Sequence, residues 1–195
     1  MESTNSPKCM KIKHSHTFAY IFHGSKTILI INGAGGVGSV ATQLAHLAGL
    51  TVIATASRPD SIKWTQDHGT DYVDYILELK DLDGHWKEMC ELIKPEGHIV
   101  SITENHRPIN LRLLTKKKAH FSWEWMYTKS YYQTEDMISQ HDILNKIAQM
   151  LDNGKLKCTM TKSLEPLNAI NLRKAHKLVE SGHMTGKVVV YDWEN

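Results

Sequence analysis

The chain has 195 residues, 41% hydrophobic and 23% charged, which suits one domain, or one domain and a piece of another, and excludes extended disorder. Its formal net charge of +2 gives no electrostatic case for a nucleic-acid partner or a membrane surface. Three scattered cysteines, Cys9, Cys90 and Cys158, suit a reducing compartment, read here as the cytoplasm, and leave no four-ligand zinc cluster; no apolar run has the length of a membrane span, and the N-terminus lacks the apolar core of a secretory signal.

Residues 1–25 carry no sustained period and read as an unstructured or loosely attached lead-in, mildly basic at Lys11, Lys13, His14 and His16. From residue 27 to 32 an apolar, β-branched run predicts a strand buried on both faces. A glycine-rich turn follows at 33–38. Val37, Val40, Ala41, Leu44, Ala45 and Ala48 then recur at helical spacing, with Gly49 as a left-handed cap. Residues 51–56 form a second strand, and Pro59 opens a helix through Ile62 to Asp67, stopped by Gly69. Strand–helix–strand–helix order predicts a parallel sheet with right-handed crossovers.

Further on, the pattern predicts a strand at 73–77, a helix around 84–94 stopped by Pro95, and a strand at 97–102. Glu78, Asp81 and Asp83 form an acidic loop cluster of the solvated kind. Residues 103–119 read as loop, with Lys116, Lys117 and Lys118 as a solvated turn. Phe121, Trp123, Trp125 and Tyr127 alternate with smaller or polar residues, predicting one strand face that serves as core, oligomer contact or the wall of a ligand pocket. Thr134 caps the next helix, with Glu135 and Asp136 in its first turn and Met137, His141, Leu144, Ala148 and Leu151 along one side. A strand at 157–161, a helix at 168–181 and a strand at 187–191 complete the chain.

The chemistry lies in Gly33-Ala34-Gly35-Gly36-Val37-Gly38, a G-x-G-x-x-G turn placed after a buried strand and before an amphipathic helix. Gly33 allows the tight turn, Gly35 the approach of a pyrophosphate, and Gly38 close packing of helix on strand. Free amides and the helix dipole then face the anion. An NAD site places a carboxylate at the tip of the second strand. Here that tip reads Ala56-Ser57-Arg58, where Ser57 can hydrogen-bond and Arg58 can pair with a 2′-phosphate, so NADPH is preferred over NADH. No nucleophile–base arrangement follows from spacing, so no catalytic residue is assigned. Cys90 and Cys158 read as structural.

Several segments together resemble the zinc-type alcohol dehydrogenase-like, or quinone oxidoreductase, branch of the medium-chain dehydrogenases. They are residues 30–39, 52–59, 91–95, 97–102, Trp123-Glu124-Trp125-Met126 and Gly186-Lys187-Val188-Val189-Val190. The resemblance runs in order from about Thr27 to Trp193. It implies an α/β fold: a Rossmann-like parallel sheet flanked by helices, shortened, with a C-terminal remnant of a GroES-like domain. The division it implies is the lead-in at 1–25, an NAD(P)-binding Rossmann domain at 26–154, and at 155–195 the closing segment that normally completes the GroES-like catalytic domain.

The same resemblance implies NADPH-dependent reduction of a small carbonyl or quinone substrate in a homodimer joined through the sheet edge. Gly35, Gly36, Val37 and Gly38 would hold the pyrophosphate, Ser57 and Arg58 the adenosine phosphate, and Ser101, Ile102 and Thr103 would lie near the nicotinamide. Residues 1–25 do not resemble the GroES-like domain with which family members begin, and a strand and helix present in the family are missing near Gly69 to Val73. Zinc is not expected in this chain, which keeps no cysteine–histidine ligand set. Two outcomes stay open: an oxidoreductase, or an NADPH-binding module, even an inactive fragment, without substrate turnover. A third, an aromatic-edged oligomerisation piece, needs no cofactor.

Overall fold

A computed structural model of the chain describes residues 26–55 and 72–193, together with the backbone of residues 10–11 and 20–21. Its centre is a parallel sheet. Strand β3 (Thr27–Ile31) lies between β4 (Thr51–Ala54) and β5 (Val73–Glu78); β6 (Ile93–Ser101) and β7 (His120–Trp123) follow outward from β5. On the other side of β4 the sheet turns antiparallel through two short pieces of the N-terminal segment, β2 (Tyr20–Ile21) and β1 (Met10–Lys11), with Ile21 opposite Ile53. The lead-in expected to be loose thus supplies two strand pieces. The edge of β4, where a further parallel strand of a doubly wound sheet would pair, carries β2 instead.

Side chains alternate across β3, and helices cover both faces of the sheet. Leu29 and Ile31 point into one core with Ile76, Ile99, and Trp86, Met89 and Leu92 of α2 (Leu82–Leu92). Ile30 points the other way, into a second core with Val52, Ala54 and Ala45 of α1 (Gly36–Leu47). This two-sided burial is why the strand reads as a continuous apolar run rather than an alternating one. Gly49 ends α1 at φ +78°, the left-handed position expected of it.

Boundaries shift in several places, among them the strand expected at 157–161, which forms at Met160–Leu164. Helix α2 starts at Leu82, where the Asp81 carboxylate caps the Gly84 amide, and β6 begins at Ile93 with Pro95 inside it. A short helix, α3 (Arg112–Thr115), interrupts the expected loop. The aromatic alternation forms a strand only as far as Trp123; Trp125 and Tyr127 lie in the turn leading to α4 (Thr128–Tyr132). Helix α5 (Ser139–Asp152) begins after Thr134, whose hydroxyl bonds the Asp136 carboxylate instead of capping a helix. The residues expected along one side of it, Met137, His141, Leu144, Ala148 and Leu151, are exposed, and Met137 lies before its first turn. The period was legible, but among the described residues no buried residue lies on α5.

Strands β8 (Met160–Leu164) and β9 (Lys187–Val190) pair in parallel as a separate two-stranded sheet, with α6 (Ala169–Glu180) between them in sequence. The helix and turn expected at 59–69 lie outside the described residues. No helix among the described residues is long and apolar enough to cross a membrane.

Candidate cofactor site

Strand β3 has β4 on one side and β5 on the other, so the connections leaving their carboxyl ends diverge there. That is the switch point of a doubly wound sheet, the crevice where such folds bind ligands. The glycine-rich turn occupies it. Asn32 takes the left-handed conformation, φ 68°, that turns the chain off β3; asparagine tolerates it better than most residues. The Gly33 amide then donates to the Thr55 carbonyl over 2.7 Å, tying the turn to the end of β4.

Gly33 and Gly38 are required by close approach. A Cβ on Gly33 would stand 2.6 Å from the Ala54 Cβ, and one on Gly38 would collide with the Asn32 carbonyl and stand 2.6 Å from the Gly33 Cα. Both glycines therefore let the turn and α1 pack directly on the strands, as the motif predicts for Gly38. Helix α1 begins at Gly36 after the extended residue Gly35, with no side chain capping its start. Its first amides and its dipole are thus open to an anion. Ala34 and Val37 are exposed beside them.

A residue from the far end of the chain completes this end of the site. Lys187, the first residue of β9, lays its side chain over Gly36, and the Gly186 amide donates to the Ala34 carbonyl over 3.3 Å. Between this segment and the glycine turn lies a cleft of about 810 Å³, with Lys80 and Lys187 on its walls. Two lysines and an uncapped helix start give it the charge and the free amides that favour an anion. Lys187 lies outside the glycine motif, and only the tertiary fold brings it to the turn. Its one sequence signal was its place in Gly186-Lys187-Val188.

At the other end, Ser101 and Glu78 close their strands as register partners. Ser101 is fully buried and donates to the Glu78 carboxylate over 2.9 Å; Thr103 also bonds that carboxylate, while Ile102 is exposed. Glu78 itself is fully buried, against the expectation of a solvated loop cluster. Its Oε1 accepts the amides of Lys80 and Asp81, and its Oε2 the two hydroxyls. The His85 Nδ1 lies 3.8 Å from Oε1, too far for a hydrogen bond and close enough for an ion pair. Burial pushes the Glu78 carboxyl upward, but His85, Thr103 and the two backbone amides outweigh it and hold it down to about 2. The same carboxylate raises the His85 pKa against the effect of burial. A second cleft, about 370 Å³, runs from Thr103 to the half-exposed indoles of Trp123 and Trp125.

Ser57 and Arg58 lie outside the described residues. Among the described residues, no group of three or more histidine, cysteine, aspartate or glutamate side chains is placed to hold a metal ion. Burial pushes the Cys90 thiol up to about 11, consistent with a structural role, whereas Cys158 is exposed.

The comparisons with known proteins agree with this geometry. Residues 48–190 match the family model described as "Zinc-binding dehydrogenase". A "zinc-type alcohol dehydrogenase-like protein" of Staphylococcus epidermidis is 39% identical, the match covering 85% of this chain and 55% of that one. The "NADPH-dependent alkenal/one oxidoreductase, chloroplastic" of Arabidopsis thaliana is 28% identical over 87% of this chain and 42% of its own. Among solved structures, a zinc-dependent alcohol dehydrogenase by designation from Rhizobium etli superposes with a TM-score of 0.72 at 35% identity, over 87% of this chain and 55% of that one. Escherichia coli quinone oxidoreductase, solved with NADPH, shares the fold at a TM-score of 0.64 and 18% identity, over 86% and 57%. The chain spans about half the length of the curated relatives it matches. With its parallel sheet, glycine turn and matched family model in agreement, the chain belongs to the zinc-binding dehydrogenase family of oxidoreductases.

Proposed function

We propose that this chain binds NADPH across the carboxyl ends of β4, β3, β5 and β6 and forms the cofactor half of a reductase acting on small quinones or enones. The observation that carries the reading is the uncapped start of α1 at Gly36, with the Lys187 side chain laid over it at the edge of the cleft. Gly33 to Gly38 and Lys187 would hold the pyrophosphate, and Ser57 and Arg58 the 2′-phosphate. Thr103, with the backbone of Ser101 and Ile102, would border the nicotinamide. When bound, the dinucleotide supplies a hydride; the chain's own part is to fix its orientation and shape the surface beside it. The E. coli quinone oxidoreductase with NADPH and the Arabidopsis alkenal/one enzyme support the substrate class by likeness.

Titrating NADPH and NADH against wild type and Arg58→Ala tests the cofactor. Tighter NADPH binding that falls to the NADH level in the variant supports it; equal affinities in wild type overturn the preference. NADPH oxidation with quinone and enone panels tests the reaction. A second reading, a module that binds NADPH without turnover, is favoured by the half-exposed Trp123 and Trp125, which leave the cleft beside Thr103 open to water. Saturable binding with no oxidation of any acceptor would select it. The homodimer is also a proposal, supported by the position of β7 at the end of the sheet order; size-exclusion at several concentrations checks it.

A further inference from the structure

We propose that Glu78 is the positioning residue for the nicotinamide half of the crevice, one buried carboxylate fixing the two loops between which that half would lie. The inference rests on the NADPH reading and goes beyond it in naming how the site is held. In a doubly wound sheet the adenosine half lies toward the strand that follows the first helix, here β4. The other half therefore falls toward β5 and β6, whose last residues are Glu78 and Ser101.

The carboxylate ties together the two segments that leave the neighbouring strands β5 and β6, beyond the backbone bond from Ile102 to the Glu78 carbonyl. Through Oε1 it holds the Lys80 and Asp81 amides, and so the turn whose Lys80 borders the anion cleft. Through Oε2 it holds the hydroxyls of Ser101 and Thr103, and so the loop that borders the indole-lined cleft. Only an ionised carboxylate offers an acceptor to all four donors without presenting a donor of its own. A glutamine can keep the two amides on its carbonyl only by turning its NH₂ to the two hydroxyls, which must then change from donors to acceptors, so the hold on the Ser101–Thr103 loop is rearranged rather than kept. Glu78 is 0% exposed, so it touches no ligand and acts only through the loops.

The test compares wild type with Glu78→Gln, using NADPH and 2′,5′-ADP, a probe that carries the adenosine half alone. Fluorescence titration reads affinity, and the emission of bound NADPH reads the surroundings of its nicotinamide. The expected result is a loss of about tenfold for NADPH and under about twofold for 2′,5′-ADP, with weaker emission from the bound nicotinamide. Equal losses for both probes would make Glu78 a general structural residue and overturn the proposal; so would no loss. If wild type binds neither probe, the NADPH reading itself fails and takes the inference with it. If Glu78→Gln does not fold, Ser101→Ala removes one of the four donors and should lower NADPH affinity by about threefold, again sparing 2′,5′-ADP. The absence of that selectivity overturns the proposal in the same way.

Discussion

Lys187 lies across Gly36, so that a Cβ at position 36 would collide with the end of the lysine stem and stand 2.6 Å from its Nζ. The ammonium is thereby held at the start of α1, where an anion would sit. Replacing it should cost binding far more than stability. Lys187→Met is expected to weaken NADPH by about five- to tenfold, the effect of one phosphate-facing charge, while shifting unfolding free energy by no more than about 0.5 kcal/mol. Calorimetric titration at low and high salt checks this, since the loss should shrink as salt screens the charge in wild type.

Gly38 makes a different demand. Its missing Cβ would meet main-chain atoms of Asn32 and Gly33, which cannot swing aside as a lysine stem can. Gly38→Ala should force α1 off β3 and cost about 2–3 kcal/mol of stability, as overpacking of a close contact does. Urea unfolding of the variant against wild type measures it, and a loss below about 0.5 kcal/mol would contradict the packing described.

The Glu78–His85 pair predicts a pH window. The folded-state pKa of Glu78 is about 2, below its ordinary 4.5, so the stability it contributes is full above about pH 4.5 and disappears as the pH falls toward 2. That depression corresponds to about 3 kcal/mol. The His85 pKa is raised, so its contribution is full below its ordinary 6.5 and is lost as the pH rises through the raised value. Stability should therefore plateau between these limits and fall on both sides. His85→Gln is expected to remove the alkaline fall and move the acid fall to higher pH, as read by urea unfolding at a series of pH values.

Lys117 belongs to a run expected to be solvated, yet its Nζ donates to the carbonyls of Cys90, Glu91 and Ile93, over 2.9, 2.6 and 2.7 Å. It thus satisfies orphan carbonyls at the end of α2 and places a cation at the negative end of the helix dipole. Burial lowers its pKa, the charges of Cys90 and Glu91 opposing. Lys117→Met should cost about 1–3 kcal/mol, whereas Lys116→Met, at an exposed position, should stay within about 0.5 kcal/mol. Thermal unfolding of the pair separates the two roles.

The features of this protein that are legible in its sequence are those whose cause is local. The β-branched run at 27–31, the glycine turn and the apolar spacing of α1 follow from sterics and periodicity within a few residues, and the family resemblance adds to them the segments at 52–59, 91–95, 97–102, 123–126 and 186–190. Other features depend on partners far along the chain. Glu78 looks solvated beside Asp81 and Asp83; it is buried because the register of β5 on β6 sets Ser101 opposite it and Thr103 within reach. Lys187 reaches Gly36 because β9 returns to the glycine turn, and Lys117 caps α2 because β7 must run back beside β6. The apolar stripe of α5 shows the limit from the other side: its spacing is helical, but no covering element is encoded in that spacing. Burial of a charge or a stripe is a property of the pair of surfaces that meet, and a local pattern describes only one of them.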